Sequence, residues 1–233
     1  MEIGRVPAAL ALIPDGNRRW ARGHGLSIFN GYSKSVTKFL EFGEWCKEYG
    51  INNITIWALS SDNLSRPKEE VNALFSIYKK VAKDRKIIDM LHRNQTRISV
   101  ISDKRILPSD LASSLHRLET ETSIYKERVI NLLMGYGGRE DILHAAKKAA
   151  ASVAAGKRVR FEEVFQRSLL SNNIPNLDLV IRTSGEMRLS GFMPWQSGYS
   201  ELYFSNKLWP DFTRSDLEAA LLDYSSRERR FGK

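Results

Sequence analysis

Short unbroken apolar runs alternate with longer stretches of helical period along this chain. Residues 8–13 (AALALI) make an apolar run of strand length that stops at Pro14, the pattern of a buried strand. From 31 to 49, Val36, Phe39, Leu40, Gly43 and Cys46 recur at helical spacing, and Gly50 supplies the stop. Residues 54–59 (ITIWAL) are β-branched and aromatic, a second buried strand. Pro67 then opens a long helix whose stripe is Val71, Leu74, Phe75, Tyr78 and Val81. Pro at a first turn, followed by Glu69 and Glu70, suits the positive end of a helix. The pattern continues with a strand over 97–101, a helix over 107–125, a strand over 129–134, and a glycine turn leading into a helix that ends at Ala155. Strands over 177–181 and 202–204 follow, and residues 213–226 form a last helix with Thr213 as an N-cap residue.

This alternation predicts an α/β fold around a mostly parallel sheet. There is no internal repeat, and the Ala/Lys stretch 145–155 reads as a helix with one packed face rather than a linker. No boundary divides the chain, so residues 1–233 are expected to form a single domain.

Composition narrows the class. Hydrophobic residues are 42% and charged residues 27%, which is ordinary for a globular chain and excludes a disordered, collagen-like or disulfide-built protein. The single cysteine, Cys46, excludes an intrachain disulfide and falls where a small core residue belongs. The four histidines show no paired ligand spacing, so no zinc site is expected. No apolar run has the length of a membrane span and the N-terminus lacks a signal peptide's apolar core. The expectation is a cytoplasmic protein without stable membrane insertion. Charge adds a question: 36 basic against 27 acidic residues leaves +9 with histidine neutral. Such an excess points to an anionic partner, whether nucleic acid, acidic lipid or a phosphorylated small molecule.

In open parallel sheets the chemistry lies beyond the carboxyl ends of the strands. After the first strand comes Pro14-Asp15-Gly16-Asn17-Arg18-Arg19-Trp20. Arginine forks match phosphate oxygens, glycine lets backbone N–H groups approach an anion, and a lone aspartate among them suits Mg²⁺. After the second strand, Ser60-Ser61-Asp62-Asn63-Leu64-Ser65-Arg66-Pro67 puts hydroxyls, an amide and a guanidinium at a helix start. The same residues also suit plain capping by Asp62 or Ser65. Tyr136-Gly137-Gly138-Arg139 follows the fourth strand, where Arg139 has a structural reading. After the fifth come Arg182, Ser184, Gly185, Glu186, Arg188 and Ser190, a second anion cradle, with Glu201 further on. Repeated Arg/Ser/Gly clusters at strand ends point to a site for two phosphorylated groups.

The segments DGNRRWA, SSDNLSRPKEEV, YGGRED, RTSGEMRLS and WQSGYSELYFSNKLWPDF, with the tail RERRFG, resemble the cis-prenyltransferases, the undecaprenyl diphosphate synthase-like enzymes. Several motifs in one order, from residue 12 to 232, make the resemblance specific. It implies an α/β domain with a central, mainly parallel six-stranded sheet, a homodimer, and an apolar tunnel for a prenyl chain. It further implies Mg²⁺-dependent joining of isopentenyl diphosphate to an allylic diphosphate. On this resemblance Asp15 is the metal-binding aspartate, and Gly16, Asn17, Arg18 and Arg19 cradle the allylic diphosphate. Asn63 and Arg66 are the polar pair assisting ionisation and proton removal, with Ser61 another candidate base. Arg182, Arg188 and Ser190 match the second diphosphate site, and Glu201 matches a late glutamate that supports metal there.

Four positions depart from the family pattern. Ile28 stands for an arginine, Tyr32 for a histidine, Met187 for a second histidine and Leu64 for a tryptophan. The stretches 25–32 (GLSIFNGY) and 187–194 (MRLSGFMP) are similar to the lavandulyl and cyclolavandulyl diphosphate synthases. That branch couples allylic units such as dimethylallyl and geranyl diphosphate head-to-middle. Asn17, SSDNLSRP and Trp195-Gln196 are similar to short-chain cis-elongating enzymes instead. Head-to-middle coupling is the leading expectation and cis-elongation with isopentenyl diphosphate the alternative. A nucleic-acid-binding module is disfavoured because the arginines sit at strand ends rather than in one stripe, the C-terminal cluster Arg227-Glu228-Arg229-Arg230 being interrupted by acid. A silent accessory subunit is disfavoured because Asp15 and its cradle are present.

Overall fold

The computed structural model describes residues 3–103, 106–156 and 158–228, so Arg229, Arg230 and the rest of the RERRFG tail lie outside the described residues. Among the described residues, six strands form one sheet: β1 (Ala9–Ile13), β2 (Asn53–Ser60), β3 (Thr96–Ile101), β4 (Arg128–Tyr136), β5 (Leu179–Arg182) and β6 (Glu201–Phe204). Their order is β3-β4-β2-β1-β5-β6, and every pairing is parallel. The expected mostly parallel sheet is therefore parallel throughout.

The unbroken apolar run of β1 follows from burial on both faces. Leu10 and Leu12 pack with Ile54, Ile56, Phe42, Trp209 and Phe212 on one side. Ala9, Ala11 and Ile13 pack with Leu133, Val180 and Phe192 on the other. With period-two alternation, both sets must be apolar.

Among the described residues, eight helices cover the sheet: α1 (Asn17–Gly23), α2 (Ile28–Glu48), α3 (Lys68–Lys83), α4 (Arg85–Arg93), α5 (Ser109–Thr122), α6 (Gly138–Ala154), α7 (Phe161–Ser168) and α8 (Arg214–Ser226). Helix α2 starts at Ile28, earlier than its apolar stripe indicates, because the Ser27 side chain accepts from the Asn30 N–H. Cys46 lies fully buried in α2, and burial pushes its thiol up. Pro67, rather than Asp62 or Ser65, stands at the N-cap of α3; residues 62–65 form a separate 3₁₀ turn. Helix α8 begins with the expected Thr213, whose side chain and Asp216 cap each other's backbone N–H groups.

Three helices have no counterpart in the apolar pattern. In α1 only Trp20 and Ala21 are buried, in α4 only Ile88 and Leu91, and in α7 only Phe165. Helices this short with one or two core contacts leave too little period to read. The stretch after β1, read as a loop, is thus a loop of three residues running into a helix.

The chain starts at the centre of the sheet, adds β2 on one side, and returns after β4 to add β5 on the other. The reversal places the carboxyl ends of β2, β1 and β5 side by side, and the crevice outside them is where such sheets bind ligands.

Candidate active site

Asp15 stands two residues past β1. Its N–H donates to Thr183 Oγ1 at 2.8 Å, pinning the turn to the residue after β5. Oδ1 accepts from the Gly16 N–H at 2.7 Å and Oδ2 from Arg182 Nη2 at 2.8 Å. Burial alone would raise the carboxyl's pKa, but the Arg182 and Gly16 hydrogen bonds outweigh it and hold the group below the ordinary aspartate value. Gly16 has φ 99°, and a Cβ there would come within 2.7 Å of the Leu208 side chain, so this turn needs glycine. Directly behind it, α1 carries Arg18, Arg19 and Arg22 towards one pocket.

Arg182 joins the two cradles. It is 5% exposed and, besides Asp15, donates to Ser190 Oγ at 2.9 Å and to the Arg188 carbonyl. The loop over 182–191 includes two non-glycine residues with positive φ, Ser184 at 83° and Ser190 at 51°. Such conformations cost energy and persist where surrounding contacts hold them; the Arg182 fork holds Ser190, and Ser184 is held by its N–H on the Lys207 carbonyl and by Arg19 on its own carbonyl. Arg19 Nη2 donates to the Ser184 carbonyl at 3.1 Å and faces Glu186 at 3.6 Å. Arg188 pairs with Glu186 at 2.5 Å on the exposed rim.

The opposite wall comes from the turn after β2. Asn63 N–H donates to Ser60 Oγ at 3.1 Å, holding the turn closed. Arg66 donates to the Tyr32 hydroxyl and, at 3.1 Å, to Glu70 Oε1; the same oxygen accepts from Tyr32 Oη at 3.0 Å. Burial is the main cause that pushes Tyr32 up to about 12, with Arg66 opposing and Glu70 adding to the rise. The phenol therefore stays neutral at any physiological pH.

Between these walls lies a cavity of about 630 Å³. Phe39, Trp57, Ala58, Leu74 and Tyr78 give it an apolar side. That side is held by two hydrogen bonds, Tyr78 Oη to the Ala58 carbonyl at 2.6 Å and Trp57 Nε1 to the Tyr136 carbonyl at 3.1 Å. The arrangement offers two guanidinium-rich ends for anions and an apolar surface for hydrocarbon.

Of the sequence candidates, Asp15, Gly16, Asn17, Arg18, Arg19, Asn63, Arg66, Arg182, Arg188 and Ser190 all line this cavity. Two do not. Ser61 N–H bonds to the Tyr136 carbonyl, and the hydroxyl packs against Gly137. Glu201 pairs in register with Leu179 at the amino ends of β6 and β5, whereas Arg182 lies at the carboxyl end opposite Phe204. Its carboxylate is tied to Arg227 at 2.8 Å. A parallel strand separates its two ends, so within one chain Glu201 stands apart from Arg182, Arg188 and Ser190, the second diphosphate site where the resemblance places its metal-supporting role. Arg139 is likewise not part of the lining. Asp62, read as a possible cap, and Glu186, read within the second cradle, also line the wall, and the residues given no site role by the sequence include Arg22 on the wall and Glu70 behind it. Glu70 had a visible signal, its four-residue spacing from Arg66 on a helix start, but it reads equally well as a residue matched to the helix end.

Among the described residues, no group of three or more His, Cys, Asp or Glu side chains is placed to hold a metal on protein ligands alone. Mg²⁺ asks for less: one or two carboxylates, with phosphate oxygens and water completing the octahedron. Asp15 fits that demand, being ionised and 36% exposed, with one donor on each oxygen and lone pairs to spare. Asn17 Oδ1, buried and without a hydrogen-bond partner, adds a neutral oxygen in the same loop.

A fold with paired anion cradles at the switch point and an apolar wall between them defines an enzyme acting on lipid-like diphosphates. The chain belongs to the prenyltransferase family described as undecaprenyl diphosphate synthase, whose model matches residues 13–232. It is a prenyl diphosphate synthase of the cis-prenyltransferase type. An isoprenyl transferase of Thermus thermophilus is 41% identical over 241 residues, covering 99% of this chain and 90% of that one. A tritrans,polycis-undecaprenyl-diphosphate synthase (geranylgeranyl-diphosphate specific) of Methanopyrus kandleri is 38% identical, covering 99% and 86%. The crystal structure of lavandulyl diphosphate synthase from Lavandula x intermedia, in complex with dimethylallyl diphosphate, superposes with a TM-score of 0.91. It is 37% identical and covers 97% of this chain and 98% of its own.

Proposed function

We propose that this enzyme couples two allylic diphosphates head-to-middle, giving a branched diphosphate of lavandulyl or sesquilavandulyl type. Dimethylallyl and geranyl diphosphate are the proposed substrates. The observation that carries the reading is the second cradle. Met187, at the position of a family histidine, is 77% exposed, and Glu201 is engaged by Arg227. That cradle thus offers guanidinium and hydroxyl donors, with Glu186 as its carboxylate and a thioether rather than an imidazole at position 187. Such a site tolerates an allylic diphosphate as readily as isopentenyl diphosphate. The likeness to lavandulyl diphosphate synthase supports the same reading.

In this account the C1–O bond of the first allylic diphosphate breaks, and its electron pair leaves with the diphosphate. Arg18, Arg19 and the N–H groups at the start of α1 stabilise the departing charge. Asp15, with Asn17 beside it, would hold Mg²⁺, which supplies further charge neutralisation at that oxygen. The double bond of the second substrate, anchored by Arg182, Arg188 and Ser190, attacks C1. Loss of a proton from the resulting cation forms the new alkene. Asn63 and Arg66 orient the diphosphate whose oxygen takes that proton. The apolar wall keeps water from the cation, and its extension into a tunnel for the prenyl chain belongs to the same proposal. So do a single catalytic domain spanning the chain, a homodimer, and action in the cytoplasm. No helix among the described residues is long and apolar enough to cross a membrane.

Short-chain cis-elongation is the second reading, favoured by the names of the relatives from Thermus and Methanopyrus. An omission assay separates the two. Diphosphate release with Mg²⁺ and dimethylallyl diphosphate alone supports head-to-middle coupling. Release that requires isopentenyl diphosphate supports elongation.

A further inference from the structure

We propose that Glu70 is a positioning residue that aims guanidiniums from a helix and a separate turn at the allylic diphosphate. Glu70 is 7% exposed in the first turn of α3, and the cavity wall is made by its partners rather than by Glu70 itself. One carboxylate oxygen, Oε1, gathers three groups from three elements. Arg66, from the turn after β2, donates at 3.1 Å. Tyr32, from α2, donates at 3.0 Å. Arg18, from α1, brings Nε to 3.7 Å. That Nε is buried and makes no hydrogen bond, so the facing charge of Glu70 is what compensates it.

Arg18, Arg66 and Tyr32 all reach the cavity. Glu70 therefore stands behind the groups that meet the ligand. Two guanidiniums against one carboxylate and a neutral phenol leave a net positive charge facing the cavity. A guanidinium held along one edge presents its remaining N–H groups in a fixed direction. Donors fixed before the C–O bond breaks need no reorganisation as charge develops on the leaving group. Without the carboxylate, the two arginines repel each other and lose that aim, while their attraction for an anion persists. The consequence is specific: Glu70 acts on the rate of ionisation more than on capture of the substrate.

The proposal rests only on ionisation of an allylic diphosphate, which both condensation readings share. The test is steady-state diphosphate release by the full chain with Mg²⁺ and dimethylallyl diphosphate, with and without isopentenyl diphosphate. Release by the wild type in this assay separates failure of the shared chemistry from failure of this proposal. Glu70→Gln keeps the shape and removes the charge. We expect kcat to fall about 100-fold, the scale of a small misalignment of reacting groups, while KM for dimethylallyl diphosphate changes less than about threefold. Glu70→Asp, which restores the charge on a shorter arm, should recover part of kcat. Tyr32→Phe, which removes only the hydroxyl between Arg66 and Glu70, should lower kcat about fivefold at unchanged KM and gives the same reading should Glu70→Gln not fold. Unchanged kcat in the folded variants, or a loss confined to KM, would overturn the proposal. So would a loss that tracks only a lowered folded fraction.

Discussion

Two of the arginine–glutamate pairs around the cavity behave as opposites. Arg66 and Glu70 lie at 24% and 5% side-chain exposure, joined by a buried phenol. Arg188 and Glu186 lie at 61% and 32%, beside a methionine that points into solvent. The residue types are the same, yet burial changes what each pair can do. In the exposed pair, water and salt screen the attraction and the side chains exchange partners freely. In the buried pair, one carboxylate compensates charges that could not otherwise stay where they are. One side of the cavity is thus held by buried charges, whereas the Arg188–Glu186 rim of the other is open to solvent. Asp15 and Arg182, 2.8 Å apart, are the seam between them.

The largest effect should come from breaking that seam. Asp15→Ala removes the carboxylate proposed to hold Mg²⁺ and should lower turnover by about 10³-fold, with circular dichroism unchanged. Near-normal turnover would place the metal elsewhere. Removing a member of the exposed pair should do far less. Arg188→Ala is expected to raise KM for the second substrate about tenfold and to leave kcat within a few-fold, an effect that shrinks at high salt. A salt-independent loss of kcat would show that the rim is as ordered as the buried side.

The smallest change sharpens the comparison through pH. Tyr32, pushed up to about 12, contributes no inflection to the wild-type profile between pH 5 and 9. Asp15 is held below its ordinary value, so its contribution to stability is complete above the unfolded pKa and is lost as pH falls through the lower folded one. Tyr32→His should therefore introduce an inflection in kcat near the imidazole range of about 6.5, with at most a few-fold change at its optimum. A profile identical to the wild type would mean that this position does not sense the ionisation step.

What the sequence disclosed and what it hid follow one physical line. β1 was legible because both its faces are buried and its apolar run is unbroken. Asp15, Arg18 and Arg182 were legible because strand ends of a parallel sheet are where anion-binding groups collect. Helix α1 was hidden because its two core contacts leave no period, so its arginines read as loop residues. Glu201 entered by resemblance alone, and no local pattern shows that it stands at the amino end of β6, tied to Arg227, rather than on the cavity wall of its own chain. Glu70 was hidden for another reason. An acid in a helix's first turn looks the same whether it is solvated or buried, and only the approach of Tyr32 from α2 makes it a hub. Local pattern reveals burial by repetition, but a single buried charge is defined by partners distant in sequence.

The carbon skeleton of the product tests the central claim most directly. The purified enzyme is given Mg²⁺ with dimethylallyl, geranyl and isopentenyl diphosphates together, and the dephosphorylated product is read by mass spectrometry and carbon-connectivity NMR. The account predicts a branched skeleton in which C1 of one allylic unit is bonded to an internal carbon of another. A linear cis-prenyl alcohol containing isopentenyl carbons would contradict it.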